Sequence, residues 1–301
     1  MILDGKACEY PPHFELLFFL DKELLGIDRN ELNLNCSDAD FMSEKDFEVK
    51  SCLVERFGWA AVYGSSLYRH VDNFKQIGKL KLRLGHKALV YDYNPVGVFW
   101  MPTGSEIMDF VVMLYEQPGK MHEIARQKLI DGKELAKKQY DAGVDFIIQN
   151  TDFGFNSGPF VSPPQFSEFV APYMTELVSF IHDMGLPVIM HSDGNLTDIL
   201  DIIYKTGIDG YQSVDPQGKM DIKKVRADFP DWILMGNVNC SMLQDMDEQM
   251  IRESVRYAMN YGGIGKRFIF STSNCIYEGM PLESYEIMLD EYHKMIAGLS
   301  K

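Results

Sequence analysis

The sequence is short of basic residues: 29 Lys and Arg stand against 44 Asp and Glu in 301 residues, a formal net charge of −15. Phosphate backbones and anionic lipid are bound by clustered cations that release counterions, so this balance argues against both. Cysteine is scarce and unpatterned. Cys8, Cys36, Cys52, Cys240 and Cys275 form no Cys-x-x-Cys pair, and an odd number would leave one thiol over in an oxidising compartment. Reduced thiols fit better. No stretch approaches the ~18 uninterrupted apolar residues of a membrane helix, and residues 1–9 carry acids where a secretion signal needs a basic segment followed by an apolar one. A cytoplasmic protein is expected. Linkers rich in Pro, Ser or Gly, internal repeats and low-complexity tracts are also missing, so we read residues 1–301 as one domain. A chain of this length buries roughly 75% of its unfolded surface without disulfide or metal staples.

What is present is an alternation. From about residue 88 onward, short apolar or β-branched runs alternate with longer segments of helical period, the pattern of an α/β protein with a parallel sheet and crossover helices. The spacing predicts strands over 88–93, 144–149, 187–191, 210–214, 232–236 and 267–271, with an earlier one over 11–16. Helices are predicted over 106–115, 121–142, 164–184, 196–205, 219–229, 246–261 and 281–297. Thr103, Pro164 and Pro281 are start signals, and Gly143, Gly185 and Gly207 stand at helix-to-strand joints as left-handed caps. Seven strands separated by helices suit a (β/α)8 TIM barrel with one strand not placed. A doubly wound open sheet is the alternative, but no strand is followed by Gly-x-Gly-x-x-Gly. Residues 17–87 break the rhythm and read as an excursion from the barrel.

In such a barrel the site is built from strand carboxyl ends. Polar residues collect there: Glu15, Asn150 and Asp152, then His191-Ser192-Asp193-Gly194, then Gln212, Asn237, and finally Cys275-Ile276-Tyr277-Glu278. His191 and Asp193, two apart at a strand end, can lean to one side of the mouth, with Gly194 allowing a sharp turn behind them. Joined by Cys275, they would make a three-ligand Zn²⁺ site with an open fourth position. The alternative is a hydrogen-bonded pair and one more buried thiol. Asp152 and Glu278 are candidate acids, since a carboxyl group in a partly dry mouth has a raised pKa; for Asp152 a helix-capping role is the competing reading. Glu15, Asn150, Gln212 and Asn237 are candidates for substrate binding. Trp100, Phe153, Tyr211 and Tyr277 fall at or after strand ends, where they either line a pocket for a flat ligand or pack helices onto the barrel.

Several of these segments together resemble a family. Ile189-Met190-His191-Ser192-Asp193-Gly194-Asn195, Leu234-Met235-Gly236-Asn237-Val238, Phe268-Ile269-Phe270-Ser271 leading to Met280-Pro281-Leu282-Glu283, and Gly158-Pro159-Phe160-Val161-Ser162-Pro163-Pro164-Gln165-Phe166 with Ala171-Pro172-Tyr173 are similar, in order, to the uroporphyrinogen decarboxylase superfamily. The resemblance implies a distorted (β/α) barrel. True decarboxylases of the family carry Arg-Gln-Ala-Gly-Arg after the first strand to hold the substrate's carboxylates. Here His13-Phe14-Glu15-Leu16-Leu17 stands in that place, with an acid and no arginine. An octa-anionic tetrapyrrole is therefore disfavoured.

The other branch comprises corrinoid-dependent methyltransferases. Those acting on coenzyme M bind zinc through His-x-Cys and a later Cys; His191 and Cys275 match, but Asp193 replaces the first Cys and makes a harder site. The resemblance thus implies methyl transfer between a small donor and a cobalt corrinoid carried by a partner protein. The aromatic residues after the strand ends and the missing Cys favour an aryl methyl ether as donor, whose methyl needs a proton or Lewis acid on the leaving oxygen. Transfer to a thiol of the coenzyme M type, decarboxylation, and a non-catalytic binding barrel are the alternatives.

Overall fold

The computed structural model describes residues 3, 8, 10–95, 102, 104–263 and 266–299. Its strands are β1 (Ala61–Tyr63), β2 (Leu89–Tyr93), β3 (Phe146–Asn150), β4 (Gly154–Phe155), β5 (Gly158–Pro159), β6 (Val188–His191), β7 (Gly210–Ser213), β8 (Ile233–Val238) and β9 (Phe268–Thr272). Seven form one parallel sheet in the order β1-β2-β3-β6-β7-β8-β9, while β4 and β5 make a short antiparallel hairpin after β3. The eighth position is taken by the segment around His13. Ala60 N donates to His13 O (2.8 Å) on one side and Phe270 N donates to Pro12 O (2.9 Å) on the other, so this segment joins the two sheet edges. The fold is a TIM-barrel-like α/β structure.

Every predicted strand takes part in this barrel. The strand that could not be placed is β1, inside the segment 17–87 read as an excursion, which therefore needs correcting: it supplies a barrel strand as well as the helices Asp21–Leu25, Arg29–Asn35, Ala39–Phe57 and Asn73–Leu84. The predicted helix over 164–184 is two helices, Pro163–Phe169 and Ala171–Asp183, and that over 246–261 is preceded by a separate turn of helix, Cys240–Asp245. Thr103 lies outside the described residues.

The barrel interior is filled on one side by rings, with Tyr91 stacked on Phe146 at 5.3 Å and Phe14 tilted against Tyr91 at 5.5 Å. Outside the wall, helix Leu282–Leu299 lays Tyr292 parallel to Phe270 at 4.7 Å, and Tyr285 accepts a hydrogen bond from Trp59 Nε1. Burial of this kind contributes roughly 1.5–3 kcal/mol for each large apolar side chain. It holds the strand ends in register. No helix among the described residues is long and apolar enough to cross a membrane.

Candidate active site at the barrel mouth

The parallel register sets Asn150 beside His191 and His191 beside Gln212 at the carboxyl ends of β3, β6 and β7. Gln212 is fully buried, and its amide nitrogen donates to Thr272 O and Ser273 O, both at 3.3 Å. Its oxygen therefore faces His191 and accepts from Nδ1. That bond fixes the tautomer: Nδ1 carries the hydrogen and Nε2 is left as a free donor atom. Nε2 looks onto Asp152 Oδ1 at 3.8 Å and Asp193 Oδ2 at 3.9 Å. One donor atom from each of these three residues lies within 4.8 Å of the others.

Both carboxylates are themselves held. Asp152 Oδ1 accepts from Asp193 N at 2.9 Å, while Asp193 accepts from Ser213 Oγ at 2.6 Å and from the Asn274 amide. Burial pushes the Asp193 carboxyl up and the neighbouring His191 opposes that shift. Ser213 and Val214 take φ of 102° and 45°, a region costly for a non-glycine and most of all for a β-branched residue. The strain sits where Ser213 meets Asp193. Gly194 has φ 82°, and a Cβ there would meet Gly154 O at 2.3 Å, so the turn behind Asp193 requires glycine.

An imidazole with its tautomer fixed by a buried amide, next to two hydrogen-bonded carboxylates, is a donor set that suits a divalent cation. Two of the three expected ligands are thus brought together, His191 and Asp193. The third place falls to Asp152, which the sequence suggested as an acid, and Cys275 is not in the group. The reason lies in the chain after β9. Ile276 N donates to Leu17 O and Phe19 N to Ile276 O, pairing this segment with the one after His13 and burying the Cys275 thiol, whose pKa burial raises. Asn274 is the residue of this loop that meets Asp193.

Beside the cluster lies a cavity of about 320 Å³, whose walls include Asp193, Asp215, Cys240, Asn274, Tyr277 and Met280. Of the aromatic residues expected to line a pocket, Tyr277 does so. Phe153 is buried between Phe160 and Phe166, Tyr211 is buried against Trp232, and Trp100 lies outside the described residues. Glu278 accepts from Asn30 Nδ2 at 3.0 Å, on a separate hollow. Glu15 is fully buried, its Oε2 accepting from Thr272 N and Oγ1, and Asn237 spends its amide on Val214 O. Glu15, Gln212 and Asn237 are therefore part of the framework and do not line the cavity. Sequence reasoning missed Ser213, whose only signal is a hydroxyl at a strand end, and Cys240, which opens a helix with no motif around it.

A parallel barrel with a carboxylate and imidazole cluster over its strand ends defines a TIM-barrel protein with a mouth site. The uroporphyrinogen decarboxylase (URO-D) family model matches residues 98–295, about two-thirds of the chain, and the chain belongs to that family. Two curated relatives are uroporphyrinogen decarboxylases: that of Sulfurimonas denitrificans is 28% identical over 185 residues, covering 61% of this chain and 51% of the relative, and that of a Sulfurovum species is 24% identical over 186 residues with the same coverage. The chain spans about half the length of these relatives. Among solved structures, a methyltransferase from Methanosarcina mazei superposes with a TM-score of 0.77 at 14% identity, over 98% of this chain and 96% of that one.

Proposed function

We propose that the mouth site performs methyl transfer, from a small heteroatom-methyl donor to the cobalt corrinoid of a partner protein as acceptor substrate. The observation that carries this reading is the Asp152, His191 and Asp193 cluster, placed over the strand ends and open to the cavity through Asp193. Likeness in fold to a protein named a methyltransferase agrees with it. The cavity includes no Lys or Arg among its described residues, and Glu15 replaces the arginines that would hold a porphyrinogen's carboxylates. Decarboxylation of a polyanion therefore has little support. A cluster whose third member is Asp152 in place of Cys275 is also poor in thiolate, which favours the donor reaction over activation of a coenzyme M-type thiol.

With an aryl methyl ether as donor, the cobalt(I) electron pair forms the cobalt–carbon bond as the methyl C–O bond breaks, and the electrons of that bond pass to oxygen. A phenolate leaves and takes up one proton. The phenolate takes that proton from solvent in the cavity, whose wall Asp193 helps to form, and Gln212 keeps the His191 ring turned toward Asp193. Held by Asp152, His191 and Asp193, a divalent ion, for which the resemblance implies zinc, would supply Lewis acidity to the departing heteroatom. The test is spectroscopic. Mixed with a reduced corrinoid protein and a panel of methoxyarenes, the protein is expected to generate the methyl-Co(III) absorption spectrum; its absence with every donor would overturn the reading.

A further inference from the structure

Among the described residues, the cavity is lined by three acids and by no base. Several buried acids in the described structure are matched by cations: Asp46 pairs with Lys50 at 2.6 Å, Asp21 with Arg29, and Glu291 with Arg252 and Arg256, whereas Glu15 and Asp92 are buried singly against neutral donors. At the cavity, Asp193, Asp215 and Asp245 face the same space with no Lys, Arg or His among the residues lining it. Asp215 is bonded only to neutral donors, Gly194 N at 3.1 Å and Gln217 N at 2.8 Å, and no described Lys or Arg lies within 4 Å of Asp245. A divalent ion at the cluster would match Asp152 and Asp193 and leave Asp215 and Asp245 uncompensated.

The remaining wall mixes neutral polar side chains, among them Gln217, Gln244 and Asn274, with a softer face made by the half-exposed ring of Tyr277, the Met280 side chain and the buried Cys240 thiol. A site for a second bare metal ion would be small and lined by oxygen. A cavity of about 320 Å³ lies within the ~300–1,000 Å³ range of small-molecule sites. Carboxylates that supply charge and an aromatic face that supplies a quadrupole are the two features that recognise an organic ammonium group.

We propose that this cavity selects its ligand by charge, and that the methyl donor it accepts carries an ammonium group, anionic donors being excluded. The inference rests on the methyl-transfer reading for the word donor, but its test needs no transfer. Three methoxybenzenes of nearly equal shape serve as probes, carrying para-trimethylammonium, para-tert-butyl and para-sulfonate groups, with binding to the full-length protein measured calorimetrically. The ammonium compound is expected to bind at least roughly tenfold more tightly than its tert-butyl twin, and the sulfonate more weakly than either. Asp245→Asn, at an exposed helix end, should reduce the ammonium preference about threefold, and Asp215→Asn should reduce it further. If Asp215→Asn fails to fold, Asp245→Asn decides. Equal binding of the ammonium and tert-butyl probes, preference for the sulfonate, no binding by any probe, or a preference unmoved by the substitutions would overturn the inference. Charge preference without any methyl transfer would refute the transfer reading alone; transfer from neutral methoxyarenes without charge preference would refute this inference alone.

Discussion

At the scale of single residues, the site depends on a side chain that never touches the cavity. Gln212 is held by two backbone carbonyls and so has one way to face, which leaves His191 Nε2 as the free ring nitrogen. Gln212→Leu removes the acceptor from Nδ1 and leaves both carbonyls short of a donor. Affinity for a divalent ion should fall about 10- to 100-fold, read by competition with a chromophoric chelator, while Gln212→Glu should retain most of it. Unchanged affinity in the leucine variant would show that His191 is oriented by something else. The sequence made the meeting of His191 and Asp193 readable through their two-residue spacing at a strand end. It could not show the role of Gln212, since a glutamine at a strand end has the same appearance whether it binds substrate or props a histidine.

At the scale of elements, three loops cross behind the cluster with backbone against backbone. Gly154, Gly194 and Gly218 mark the crossings: a Cβ on Gly194 would meet Gly154 O at 2.3 Å, and one on Gly218 would meet the Gly194 carbonyl carbon at 2.4 Å. Gly194→Ala combines this overlap with a φ of 82° and should destabilise the fold by roughly 2 kcal/mol or more, lowering the thermal midpoint by several degrees. It should also displace Asp193 and weaken ion binding. Gly158→Ala, whose Cβ meets nothing within 4 Å, has φ 151° and serves as a control for backbone strain without the overlap. The same scale explains what was legible of the fold. Strands of four to six residues, flanked by helices ending in glycine, were readable from period alone. β1 has three residues, Ala61-Val62-Tyr63, too few for any periodicity, and it follows a 19-residue helix whose sequence is mostly polar. The position of Cys275 outside the group was not legible for a related reason, because the pairing of residues 17–19 with Ile276 joins segments more than 250 positions apart.

At the scale of the whole molecule, two buried titratable groups between the barrel wall and the last helix govern how stability varies with pH. Burial lowers the His13 pKa to about 3 and raises that of Glu15 to about 8. The lowered His13 makes its contribution above its unfolded value near 6.5 and loses it as pH falls toward 3. For Glu15 the sign is opposite: its contribution is full below about 4.5 and is lost as pH rises through about 8. Stability should therefore decline on both sides of a mildly acidic optimum. In Glu15→Gln the alkaline decline should flatten, so that the variant gains on the wild type by more than ~1 kcal/mol between pH 5 and pH 9, as measured by urea unfolding. Parallel curves would contradict this placement of the charge. The central claim is that Asp152, His191 and Asp193 form the chemical centre of the barrel mouth and that Cys275 stands outside it. Metal analysis of protein purified without chelator, repeated for Asp152→Ala, His191→Ala and Cys275→Ala, tests this most directly. About one divalent ion per chain is predicted, lost in the first two variants and kept in the third; retention in Asp152→Ala, or loss in Cys275→Ala, would contradict it.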